Sequence, residues 1–263
     1  MNLKFFYPKL VLITVIGLVY GNTFLNVFHF DDFPSILEKP WIRGLDKIPQ
    51  FLFSFFQRPL VILSFNINYA ISEFGVWSYH LFNIMFHVLA TLLVYQLTHR
   101  ALDCLKEFSH QKSFTFLPFF AAMVFALHPL NTQSVTYISS RSSVLATIFY
   151  LAALILFFKG FNERKLKRNT SLELTPALLF RAFIRPLFGL RLALSMLSSS
   201  GHRYFLGAGF VFVLGALSKE TIVTLPAMLF LCHYYFVSRE TPKAWIAAYV
   251  KWILLLAIPL LAF

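Results

Sequence analysis

TYISSRSSVLATIFYLAALILFF, residues 136 to 158, decides the fold class. After Arg141 it runs from Ser142 to Phe158 without a charge. At about 1.5 Å of rise per residue, a helix over this stretch spans a hydrocarbon core of roughly 30 Å. Further apolar runs fall at about 10 to 28, 77 to 98, 114 to 130, 204 to 218, 221 to 237 and 247 to 263. About seven spans are therefore expected, the last of them unfinished. The whole chain agrees. Of 263 residues, 58% are hydrophobic and only 13% charged, and the mean hydropathy is +0.70. Such a composition excludes a soluble Rossmann, TIM or sandwich enzyme. The expected architecture is an all-α polytopic transmembrane bundle forming a single membrane domain over 1–263.

The net charge of +12 would point to nucleic acid in a soluble protein. In a membrane protein, basic residues collect in cytoplasmic loops, so no nucleic-acid partner is expected. If the N-terminus with Lys4 and Lys9 is cytoplasmic, 17 of the 23 Lys and Arg lie inside. The outside then holds Lys39, Arg43, Lys47, Arg58, Arg141 and Lys219. The acids divide almost evenly, so the asymmetry belongs to Lys and Arg alone. The segment 29–75 becomes a large first outer loop, whose FLFSFF and LVILSF stretches suggest short interfacial helices. The segment 159–203 becomes cytoplasmic. Within it, 176–197 carries Arg181, Arg185 and Arg191, each costing about 2.5–3.5 kcal/mol at the bilayer centre. That stretch is expected to lie on the inner surface among anionic headgroups. The first apolar run lacks a small-residue cleavage site and is expected to stay as an anchor. Cys104 and Cys232 are too few for a disulfide or zinc framework and read as small apolar fillers.

Asp31 and Asp32 follow the first span in FHFDDFP. Adjacent carboxylates before a proline can be a solvated turn or a helix cap. They can equally be a base that deprotonates a hydroxyl, with a neighbour that holds it in place or shares a divalent cation with it. Arg58, His128, Arg141, Lys219 and Glu220 sit at other expected outer span ends. Singly, such charges often only snorkel to the interface. Together they offer carboxylates facing cations, the layout wanted when a phosphate leaves. His80, Asn83 and His87 share one face of the second span. Polar groups there usually bond between helices, although His80, near the outer end, can also reach a substrate. No third ligand shares the histidine face, so no metal site is expected. P-loop, dinucleotide, HExxH and GxSxG motifs are absent.

FDDFPSILEKPWIRG, RPLVILSFNINYAI, WSYHLFNIMFHVLATLLVY, FALHPLNTQSVTYISSRSSVLATIFYLAALIL and LGALSKETIVTLPAMLFL occur in that order. The set resembles the membrane part of bacterial TPR-containing GT-C glycosyltransferases, relatives of the animal transmembrane-and-TPR protein O-mannosyltransferases. The resemblance implies a polyprenyl-phosphate sugar donor, with mannose a candidate sugar. It implies a protein or glycan acceptor, no cofactor, and an active site on the non-cytoplasmic side, here of a bacterial inner membrane. It implies Asp31 as catalytic carboxylate with Asp32 its second member. Arg58, His80, His128, Arg141, Lys219 and Glu220 would contact donor phosphate or acceptor. Ser143 stands where the family usually has an acidic residue. TPR repeats and further spans are expected from a longer protein or from partner chains. A non-catalytic membrane subunit or pseudoenzyme is the alternative, and a transporter comes third.

Overall fold

The computed structural model describes residues 3–45, 48, 58–106, 116–167 and 202–236. Every regular element among them is helical. The first helix, α1, covers Leu3–Tyr20 and tightens into a 3₁₀ turn at Gly21–Leu25. α2 covers Pro59–Ser72, and α3 covers Val76–Lys106. α4 (Leu117–Leu127) and α5 (Pro129–Thr136) are followed by α6 (Arg141–Lys167). α7 (His202–Ala216) and α8 (Leu225–Phe236) complete the set.

Three helices are long and apolar enough to cross a membrane, at Tyr7–Leu25, Val76–Cys104 and Ile138–Phe161. The expected spans at 114–130 and 204–218 hold shorter apolar helices, Leu117–Leu127 and Arg203–Ala216. The first stops because His128 precedes Pro129. Pro Cδ pushes the preceding residue out of the helical region, and His128 is extended at ψ 128°. The FLFSFF stretch, 176–197 and the expected seventh span lie outside the described residues. LVILSF does form a helix, within α2. Its inner face is buried by Val61, Ile62 and Phe65, and it also buries Ser64, Asn66 and Asn68.

α3 and α6 form the centre. One core joins Ile36 and Ile42 of the segment after α1 to Val61 and Phe65 of α2, Tyr79 of α3 and Ile138, Val144 and Ile148 around the start of α6. Another packs α6 on α7 and α8. The α6–α7 contact is close because glycines allow it. A Cβ on Gly160 would come within 2.7 Å of the Phe205 ring, and one on Gly215 within 3.2 Å of Phe149 on α6 and 2.5 Å of Ile222 in the Glu220–Thr224 turn. Apolar burial of this kind is worth about 25 cal/mol per Å² relative to water. In a bilayer the tails are equally apolar, so close small-residue packing and polar bonds between helices decide the arrangement.

Candidate active site

The two aspartates sit in unlike environments. The chain leaves the Gly21–Leu25 turn extended at Asn26 and reverses at Phe30, whose φ of 43° is left-handed. That conformation costs a non-glycine residue about 1–2 kcal/mol and persists only where surrounding bonds determine it. The bonds come from Asp32, which is 1% exposed. Its Oδ2 accepts from the His29 N–H at 3.0 Å and its Oδ1 from the Ser139 N–H at 2.7 Å. The helical turn at Phe33–Leu37 has no side-chain cap from Asp32. Asp32 is thus neither a solvated turn residue nor a cap; it clasps two segments more than a hundred residues apart. Asp31 beside it is exposed. Its N–H donates to the Tyr137 hydroxyl at 2.8 Å. Among the described residues no side chain pairs with its carboxylate.

Behind the clasp lies Arg141, 0% exposed. Its Nε donates to Asn83 Oδ1 at 2.7 Å, and Nη1 donates to Asn68 Oδ1 at 2.6 Å and to Ser64 Oγ at 3.1 Å. Nη2 donates to the Tyr79 carbonyl at 2.8 Å, which occupies four of the five guanidinium donors. The guanidinium carbon stands 4.5 Å from the centre of the Phe65 ring, a cation–π arrangement favoured by desolvation. Arg141 was expected to contact donor phosphate or acceptor. It has no surface to offer either, and instead ties α2 and α3 to the start of α6.

The cations on the other side are accessible. Lys219 Nζ donates to Ser143 Oγ at 2.8 Å. The bonded partner is a hydroxyl and not a carboxylate, while the Glu220 carboxylate next in sequence feels the ammonium charge. The turn that presents Lys219 is seated on α7, since the Ser218 and Lys219 N–H groups both donate to the Gly215 carbonyl. Arg58 precedes Pro59 in the left-handed region, at φ 52°. Its Nη2 meets both Glu220 oxygens at 3.1 and 3.2 Å. Glu220 is held below the usual carboxylate range, first by its own backbone N–H and then by the charge of Arg58. Next to Lys219, a cavity of about 250 Å³ lies between α6 and the Glu220–Thr224 turn. The hydroxyl-bearing Thr147, Tyr150, Thr221 and Thr224 line it together with Leu151 and Ile222.

One short segment joins the two sides. Tyr137 holds the Asp31 backbone, Ser139 holds Asp32, and Ser143 holds Lys219. Four residues of 3₁₀ or α-helix separate Ser139 from Ser143 by roughly 6–8 Å of rise. Asp31, Asp32 and Lys219 are brought together by this segment, and Arg58 and Glu220 join them through the Lys219–Glu220 turn.

Two expected contacts are not at the surface of this site, and a third stands apart. His80 is 0% exposed, with the backbone of Asn26 beside its ring. A fully covered ring cannot touch a substrate as expected. His128 is exposed and its Nδ1 accepts from the Leu130 N–H at 3.3 Å, capping α5. His87 donates from Nε2 to the Ala126 carbonyl at 3.0 Å, a bond between helices. Tyr137, Ser139, Ser64 and Asn68 were not singled out by sequence. The two asparagines of FNIN, polar groups in an otherwise apolar helix, were the available signal.

Comparison with known proteins follows this geometry. A Caenorhabditis elegans protein named Protein O-mannosyl-transferase F38B6.6 is 34% identical over 164 residues, 57% of this chain and 23% of its own length. Mouse Protein O-mannosyl-transferase TMTC3 is 28% identical over 163 residues, 57% of this chain and 16% of its own. Mouse Protein O-mannosyl-transferase TMTC2 is 33% identical over 113 residues, 43% of this chain and 12% of its own. The matched parts thus span less than a quarter of these curated relatives. No family model matches the chain, and no solved structure does. The chain is related to the TMTC-type proteins.

Proposed function

From that relationship and this geometry, we propose that the chain carries the active site of a GT-C-type membrane glycosyltransferase. It moves a sugar, mannose by the names of its relatives, from a polyprenyl phosphate to a hydroxyl of a protein or glycan acceptor. The site faces the non-cytoplasmic side of the membrane, a side that the distribution of Lys and Arg supports, and the membrane is a bacterial inner membrane. One observation carries this reading. A single segment, Tyr137–Ser143, bonds on one side the backbone of Asp31, whose exposed carboxylate has no side-chain partner among the described residues, and on the other the ammonium of Lys219, whose bonded partner is a hydroxyl.

Asp31 accepts the proton of the acceptor hydroxyl as its oxygen bonds to the anomeric carbon. The bond from that carbon to the phosphate oxygen breaks with inversion, and its electron pair leaves on the phosphate. Lys219 and one free face of Arg58 stabilise the departing charge. Asp32 keeps Asp31 in place through its two backbone donors. The cavity lined by Thr147, Tyr150, Thr221 and Thr224 is assigned to the part of the donor next to the phosphate. His128, apart from these residues at the start of α5, is given no step. Arg141 and His80 form the wall behind it.

No step is assigned to a divalent cation. Asp32 is 1% exposed with each oxygen accepting an N–H bond, which leaves Asp31 as the one accessible carboxylate of the pair, and a chelator is expected to leave turnover unchanged. The test is transfer of radiolabelled sugar from polyprenyl phosphate into membrane protein and glycan. Wild-type membranes should label, and Asp31→Asn should label at least about 10²-fold more slowly with normal protein level. Equal labelling by both would remove Asp31 from the chemistry. Absence of transfer by the wild type would favour the non-catalytic subunit.

A further inference from the structure

Asp31 is exposed, and a base in a loop needs something to fix its position. The Phe30 backbone is left-handed, so the loop is not held by its own conformational preference. The Asp32 clasp fixes the residue after the base. The base residue itself has one bond to a side chain, from its N–H to the Tyr137 hydroxyl. Tyr137 is in turn rigidly placed. It ends α5 in an extended conformation, and Asn83 Nδ2 donates to the carbonyls of Val135 and Tyr137 at 3.2 and 3.4 Å. Asn83 is 0% exposed and is locked by Arg141 through its Oδ1. A chain of bonds therefore runs from the buried guanidinium cage through Asn83 to the Tyr137 backbone, and the Tyr137 hydroxyl carries it on to the exposed backbone of Asp31.

We propose that Tyr137 is a positioning residue for the Asp31 base: its phenol oxygen, on a residue whose backbone carbonyl is held by the Asn83–Arg141 cage, sets where the carboxylate meets the acceptor hydroxyl. The inference rests on the reading of Asp31 as the base and adds the group that aims it. A misplacement on the order of 1 Å can cost about 10²-fold in rate, so loss of one of several restraints should cost about tenfold. The phenol is distant in the bond network from Lys219, so donor binding should not change.

Tyr137→Phe removes one oxygen and keeps the ring. The expected result is a kcat about tenfold lower, a donor KM within about twofold of wild type, and an unfolding midpoint within a few degrees. In an Asp31→Glu background, where the carboxylate is already displaced, Tyr137→Phe should cost less than about threefold more. Unchanged kcat, a loss expressed in KM, a large drop in the midpoint, or a full tenfold loss in the Asp31→Glu background would each overturn the assignment. Asp31→Asn run in parallel separates the two ideas. If Asp31→Asn is fully active, the base reading fails and Tyr137 with it. If Asp31→Asn is inactive while Tyr137→Phe is normal, only the role of Tyr137 fails.

Discussion

The acid rim and the cation rim of the site are built in opposite ways. On the acid rim, Asp32 is 1% exposed with both oxygens bonded, and Arg141 behind it is 0% exposed with four donors in use. On the cation rim, the Arg58 and Glu220 side chains are 44% and 67% exposed, and Lys219 spends its ammonium on a single hydroxyl. Under the proposed function the difference fits what each rim would have to do. A base must stand at a fixed point, and fixed dipoles in a dry wall hold it there without reorganising. A phosphate clamp must release its product, so long exposed side chains with weak internal bonds serve it. Changes to the acid rim should therefore break the fold or kcat, and changes to the cation rim should alter binding.

The largest effect is expected at Arg141. Arg141→Met strands the oxygens of Asn68, Asn83 and Tyr79 in the core, at a cost on the order of 4 kcal/mol, and the protein should be lost from the membrane. Arg141→Lys should fail similarly, because an ammonium cannot copy the planar fork and the stacking on Phe65. Normal levels of either variant would show that the wall is not the anchor of the acid rim. Next, Asp32→Ala leaves two backbone N–H groups without partners, at about 1–3 kcal/mol each where buried. Thermal unfolding in detergent should register that loss, and transfer should fall with it. On the cation rim, Gly215→Ala forces a Cβ against Ile222 and should cost roughly 1–3 kcal/mol, displacing the Lys219 turn and raising the donor KM. An unchanged KM would separate that turn from the donor.

The smallest effect belongs to the exposed Arg58–Glu220 pair, worth about 0.2–1 kcal/mol. The carboxyl of Glu220 is lowered from 4.5 in the folded chain. Its contribution is therefore full above the unfolded value and is lost as pH falls through the lower, folded one. Glu220→Gln should flatten that small acid-side decline, seen as a difference in unfolding midpoint between pH 5 and pH 3 at low salt. A larger acid effect in the Gln variant would contradict the sign.

Sequence reading found what depends on local pattern. The apolar runs placed α3 and α6, yet α3 continues to Lys106 because QLTHRALDCLK favours helix without being apolar, and a hydropathy window registers only the membrane-like part. The break at His128 was legible from Pro129 but hidden inside an apolar run. Asp31 and Asp32 were legible as a pair, and their division of labour was not, because it depends on the Ser139 N–H from a distant segment. Arg141 read as a charge at a span end. Its burial depends on Ser64, Asn68 and Asn83 arriving from two other helices, a convergence that no single segment encodes.

The central claim is that one site has a fixed base and a separate phosphate clamp, and paired donor kinetics test it most directly. With sugar transfer measured against donor concentration, Asp31→Asn should lower kcat at least about 10²-fold with little change in KM. Lys219→Ala should raise the donor KM about tenfold and slow turnover less, because its charge meets the phosphate before and during departure. Identical kinetic patterns for the two variants, or full activity in both, would contradict the account.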